Sequence, residues 1–187
     1  MNNTNTDPAV DSLNIWQRFR KHYWWALLFD ATVLLLVFIS IGIWQARDLL
    51  SDSGNLPAPG FSLPDRQGNI ISLEDYRGKR VVVYFFAPWC KVCSISIHNL
   101  VDITADRDPD LVILALGVEY ESAAEVWEFA DHHKLQMPVL LGTAKQVEEW
   151  QIKAFPSYYV LNEQGIVIAR SIGYSTELGI RWRARER

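Results

Sequence analysis

Apolar and polar positions divide this chain into unlike stretches. Residues 1–14 are polar and without apolar periodicity, which predicts a disordered tail. Between Trp24 and Trp44 the only charge is Asp30. Twenty-one residues at about 1.5 Å rise span roughly 31 Å, enough for a bilayer core. Beyond it, Ser51-Asp52-Ser53-Gly54-Asn55-Leu56-Pro57 is rich in turn formers and reads as a linker. Short alternating runs at Phe61-Ser62-Leu63 and Ile70-Ile71-Ser72, separated by Asp65 to Asn69, predict a hairpin, and Leu73 to Tyr76 a turn of helix. Val81 to Phe86 and Leu111 to Gly117 are apolar without alternation, as in strands covered on both faces. Helical spacing follows Cys93 as far as about Ala105 and recurs from Ala123 to Lys134 and from Thr143 to Trp150, with a strand at Met137 to Leu141. Tyr158 to Leu161 and Ile166 to Ala169, joined by Asn162-Glu163-Gln164-Gly165, read as an antiparallel hairpin before a last helix over 177–187. The succession predicts an α/β domain with a mixed sheet.

The expected organisation is a cytoplasmic tail (1–22), a transmembrane anchor (23–45), a linker (46–57) and one folded domain (58–187). A length of 187 residues suits one domain with attachments. The formal charge of −4 lacks the basic footprint of a nucleic-acid binder. Three of the eight tryptophans, Trp24, Trp25 and Trp44, mark the ends of the apolar span, as interfacial belts do. A cleaved signal peptide would have a shorter apolar run with a small-residue cleavage site after it, whereas Ser40-Ile41-Gly42 lies inside the run. Arg18, Arg20 and Lys21 precede the span and only Arg47 follows closely, which places the N-terminus in the cytoplasm and the folded domain outside, in a bacterium the periplasm. Asp30 sits about 9 Å into the span, near enough to the interface to be tolerated. Arg181, Arg183, Arg185 and Arg187 alternate with other residues, as a solvated basic helix end does.

Both cysteines of the chain lie in Ala87-Pro88-Trp89-Cys90-Lys91-Val92-Cys93, directly after the apolar run 81–86. A strand entering Trp-Cys-x-x-Cys and then a helix is the layout of a thioredoxin-type redox site. Free N–H groups and the positive dipole end of the helix, with the Lys91 cation alongside, favour a thiolate at the first sulfur. No second cysteine pair and no His-x-x-x-His pattern exists to complete a zinc site. Ala87 stands three residues before Cys90, where thiol peroxidase chemistry would want Thr or Ser.

From about Ala58 to Ile180 the chain resembles the membrane-anchored TlpA-like thioredoxins, which include disulfide reductases of cytochrome c maturation and copper-sensitivity suppressor proteins. The likeness rests on Ala58-Pro59-Gly60-Phe61-Ser62-Leu63-Pro64-Asp65, on Ile71 to Lys79, on Tyr84 to Cys93 and on Ala154-Phe155-Pro156-Ser157-Tyr158-Tyr159-Val160-Leu161-Asn162. It implies a thioredoxin-like α/β fold with a mixed central sheet, an N-terminal hairpin and an inserted helix-strand unit within 111–150, preceded by one transmembrane helix. It also implies that Pro156 is cis and lies opposite the cysteines. Three positions depart from the pattern: Ser96 stands for a frequent glutamate, His98 for a proline, and Tyr84 for the buried acid of many thioredoxins.

The expected chemistry is attack by Cys90 on a partner disulfide, followed by resolution by Cys93. Trp89, Phe155 and Pro156 would form the substrate-binding surface, the Phe155 backbone pairing with an extended segment. Expected partners are protein disulfides or dithiols, a membrane or periplasmic thiol redox partner, and the bilayer through residues 24–44; no cofactor, metal or nucleic acid is expected. Tyr84, His98, Glu119 and a water stand as alternative proton acceptors for Cys93. Two rival functions use the same residues: copper(I) binding or delivery by the thiolates, and a tethered binding module with idle cysteines.

Overall fold

The computed structural model describes residues 28–40, 56–106 and 108–185. The tail, the ends of the apolar span, most of the linker and Arg187 lie outside the described residues. The chain divides into two units, Met1–Gln45 and Ala46–Arg187. In the first, residues 28–40 form helix α1 with exposed side chains throughout. Thirteen residues rise about 20 Å. Among the described residues no helix is long and apolar enough to cross a membrane.

In the second unit, strands β1 (Ser62–Pro64) and β2 (Ile70–Ser72) pair antiparallel, and a 3₁₀ turn (Leu73–Tyr76) follows. The loop between them is closed by Asp65, whose carboxylate accepts from the N–H groups of Gln67 and Asn69. Then come β3 (Arg80–Phe86), α2 (Lys91–Ala105), β4 (Leu111–Gly117), α3 (Ala123–His132), β5 (Val139–Leu141), α4 (Ala144–Glu149), β6 (Ser157–Leu161), β7 (Val167–Ile172) and α5 (Glu177–Arg185). The five-stranded sheet has the order β5-β4-β3-β6-β7; β3 runs parallel to β4 and antiparallel to β6.

The two-sided apolar character of β3 has a direct cause. Val82, Tyr84 and Phe86 meet side chains of α2, α3 and α5, including Ile97, Phe129 and Ile180. Val81, Val83 and Phe85 meet Phe61, Leu63 and Leu73 on the other face, together with Trp150 and Ile152. Trp150 anchors that second layer, with ring centroids 5.3 Å from Phe85, 5.1 Å from Tyr159 and 6.2 Å from Phe61. The Tyr159 hydroxyl donates to the Trp150 carbonyl at 2.6 Å. At the end of β4, Gly117 lets α3 come close: a Cβ there would lie 2.6 Å from a methyl of Val126.

Within the folded domain, residues 58–185, the elements expected from the sequence are present and the differences lie at their ends; of the expected transmembrane helix over 23–45 only residues 28–40 are described. α3 stops at His132 rather than Lys134, because Lys134 takes a left-handed backbone (φ 53°) that no helix can continue. β5 begins at Val139, later than the apolar run. β7 continues to Ile172, past the apolar residues, since backbone pairing of Arg170 and Ser171 with Tyr159 and Tyr158 is indifferent to side-chain polarity.

Trp150→Ala is expected to cost about 3–5 kcal/mol, the range for truncating a large buried aromatic. Denaturant unfolding of wild type and variant measures it; a change below about 1 kcal/mol would show that the Trp150 layer carries little of the stability.

Candidate active site

β3 delivers the chain to the dithiol. The Val118 N–H donates to the Phe86 carbonyl at 2.9 Å, extending the β3–β4 edge, and the Cys90 N–H donates to the Ala87 carbonyl at 3.0 Å. Cys90 is the N-cap of α2, with extended backbone (φ −82°, ψ 109°). Its sulfur accepts the Cys93 N–H at 3.3 Å, the position that Ser or Asp oxygens usually fill in an N-cap. One otherwise unpartnered helix donor is thereby aimed at Cys90 Sγ.

The two sulfurs have unlike surroundings. Cys90 is 8% exposed, at the surface end of the helix, whereas Cys93 is 0% exposed and lies behind it. Both are free thiols. Burial pushes the Cys93 thiol far above its ordinary range, and a hydrogen bond to Cys90 adds to the effect, while the Ala87 main chain pulls the other way. Among the described residues no carboxylate acts on Cys93. Beneath the pair lies Tyr84. Burial raises its phenol well above the ordinary range, and the negative charge of an ionised Cys93, then of Cys90, raises it further. The Ser96 hydroxyl is near enough to steady a phenolate, but no hydrogen bond of ordinary geometry reaches the Tyr84 oxygen.

The opposite wall is Phe155–Pro156, whose peptide bond is cis as the family resemblance implied. The Cys90 thiol points at the Phe155 carbonyl, 3.6 Å from Sγ. Trp89 is 63% exposed, edge-on to Phe155 with centroids 6.0 Å apart. Its indole N–H donates to the Glu119 carbonyl at 2.9 Å, and Glu119 holds a left-handed backbone (φ 49°).

Trp89, Cys90, Cys93, Phe155 and Pro156 are thus brought together. Two other candidates are not. His98 is exposed and packs against His133 (5.2 Å between centroids), and Glu119 has an exposed side chain. Ser96, which the sequence showed only as a departure from a pattern, is buried one helical turn after Cys93 on the same face. Sequence reasoning missed the cavity beside the site, lined by Pro88, Trp89, Glu125, Glu128, His132 and His133. Its histidines lie together at the end of α3, distant in sequence from the motif, and only folding places them beside it. Burial holds His133 below the usual histidine range, with His132 and His98 adding to this. Among the described residues no group of three His, Cys, Asp or Glu side chains is placed to hold a metal ion.

A near-surface N-cap cysteine, a buried partner one turn on and a cis-proline wall at the end of a mixed sheet define a thioredoxin-like thiol–disulfide oxidoreductase. Within that class, the chain belongs to the AhpC/TSA family, which matches residues 55–170. It is 29% identical over 154 residues to the thioredoxin-like protein YneN of Bacillus subtilis, covering 79% of this chain and 91% of that one. It is 28% identical over 159 residues to the thiol-disulfide oxidoreductase ResA of the same organism, covering 80% and 87%. The fold matches a thiol:disulfide interchange protein of the thioredoxin family from Chlorobium tepidum, with TM-score 0.64 and 22% identity over 72% of this chain and 97% of that one. These relatives agree with the TlpA-like resemblance.

Because the Cys93 value is raised on folding, the unfolded chain releases that proton from about pH 9 while the folded chain keeps it. The stability of the reduced protein is therefore expected to be level below pH 9 and to fall above it with the slope of one proton. Urea titrations between pH 8 and 10 should show this slope in wild type and lose it in Cys93→Ser. An identical slope in both would assign it to other groups.

Proposed function

We propose that this protein is a membrane-anchored thiol–disulfide oxidoreductase that reduces disulfides of extracytoplasmic proteins. The observation that carries the reading is the division of labour at the dithiol: Cys90 receives a backbone N–H at its sulfur and keeps a small exposed area, while Cys93 is fully sealed behind it. Cys90 attacks the partner disulfide and one partner sulfur leaves. Cys93 then attacks Cys90, the second partner sulfur leaves, and the pair ends as a disulfide. Two electrons pass from the dithiol to the partner, and a membrane or periplasmic thiol partner restores them. Trp89 and the Phe155–Pro156 edge form the docking rim, with the Phe155 carbonyl as an acceptor for an extended substrate segment.

The anchor, the orientation and the direction of electron flow rest on sequence. The apolar span 24–44, within which residues 28–40 form the exposed helix α1, supports insertion in the bilayer. The basic residues before it support a periplasmic domain. The resemblance to disulfide reductases supports the reducing direction.

Cys93→Ser in the full chain is expected to trap extracytoplasmic proteins on Cys90 as mixed disulfides, resolvable on non-reducing gels and absent from Cys90→Ser. Protease added to spheroplasts should remove the domain. Failure to trap any protein, with copper(I) held by the reduced chain, would favour the metal-delivery reading. Protection of the domain from protease would overturn the orientation.

A further inference from the structure

The Tyr84 hydroxyl is one of two buried side-chain polar atoms with no hydrogen-bond partner among the described residues, and Tyr84 belongs to the core layer that holds both cysteines. The other, the Trp150 indole N–H, belongs to the opposite layer of the core. A buried orphan hydroxyl is unfavourable, and it persists where something else requires it. We propose that Tyr84, with Ser96 beside it, is the positioning residue for Cys93: its hydroxyl takes the Cys93 sulfur as acceptor when charge builds there during resolution of the mixed disulfide. The inference rests on the oxidoreductase reading and deepens it.

Three observations converge. Cys93 and Ser96 stand three residues apart on α2, both buried, on the face turned to the sheet. Tyr84 projects from β3 to the same side, among Cys90, Cys93 and Ile97. Among the described residues no carboxylate acts on Cys93 to accept its proton or steady its charge. The surrounding titratable groups are otherwise engaged or remote. Tyr158, opposite Tyr84 on β6, accepts from the Arg183 guanidinium of α5 at 3.0 Å. Lys91 is exposed, and Glu125, Glu128, His132 and His133 of the α3 segment line the cavity beside Trp89.

Tyr84 is no base, because its phenol stays protonated; it is a donor. In the mixed disulfide, Cys90 Sγ is bonded to the partner sulfur. The Cys93 thiol gives up its proton, and its sulfur attacks Cys90 Sγ with an electron pair. The Cys90–partner bond breaks, and the partner sulfur leaves with that pair and takes up a proton. Tyr84 keeps its own proton throughout and hydrogen-bonds the sulfur while it is anionic. A donor unpaired over a neutral thiol and paired over a thiolate favours the charged state selectively.

The test uses the reduced, detergent-solubilised full chain and 5,5′-dithiobis(2-nitrobenzoate). A first thionitrobenzoate release reports attack by Cys90 and a second reports resolution by Cys93. In Tyr84→Phe the second release is expected to slow about 10-fold or more at neutral pH, the usual scale for one hydrogen bond to a charged group, with its pH midpoint moved upward. The first release should stay within about twofold. Ser96→Ala should show a smaller shift in the same direction. A second arm places Tyr84→Phe on Cys90→Ser, where Cys93 is the only thiol, and follows its alkylation against pH; an upward midpoint supports the inference. Wild-type resolution rate and midpoint in Tyr84→Phe, or equal midpoints in the second arm, would overturn it. Absence of the first release from the unaltered chain would instead refute the dithiol reading.

Discussion

The constraint on which this domain depends is that β3 is covered on both faces. Its odd residues are held by the hairpin and the Trp150 layer, its even residues by α2, α3 and α5. A strand so enclosed has its axial position fixed, since sliding by one residue would exchange the two faces. The fixed strand end sets where the following turn must place Cys90. The precision of the dithiol is inherited from core packing several residues away.

The same enclosure explains why the two cysteines differ. The α2 helix lies on the even face of β3, and its inward residues are Cys93, Ser96, Ile97 and Leu100. Cys93 is part of the core by helical phase, while Cys90 as the cap stays at the rim. Burial keeps the inner thiol protonated, and the cap geometry turns a backbone donor onto the outer one. Nucleophile and resolving thiol are thus distinguished by burial and cap geometry.

Much of this was legible beforehand for local reasons. Continuous apolar runs mark buried strands, and Trp-Cys-x-x-Cys after such a run marks a strand-to-helix junction. Element ends were less legible. Lys134 gives no local sign of a left-handed backbone, and β7 is held past Ala169 by pairing with β6 rather than by its own side chains. The sequence predicts a backbone edge for substrate at Phe155, and the fold turns the carbonyl of that edge onto the Cys90 thiol at 3.6 Å.

The sequence alone determined the dithiol, its place at a helix start, the α/β class and the apolar span, because each is written within a window of a few to twenty residues. Tertiary structure alone decided which thiol is sealed, that Phe155–Pro156 faces Cys90 across 65 positions of chain, and that Tyr84 of β3 shares a core layer with Cys93 of α2. Separations of that size are closed only by the packing of whole layers, which no local pattern records. The pair at the centre of the motif is therefore local in sequence, while its inequality is a product of the fold.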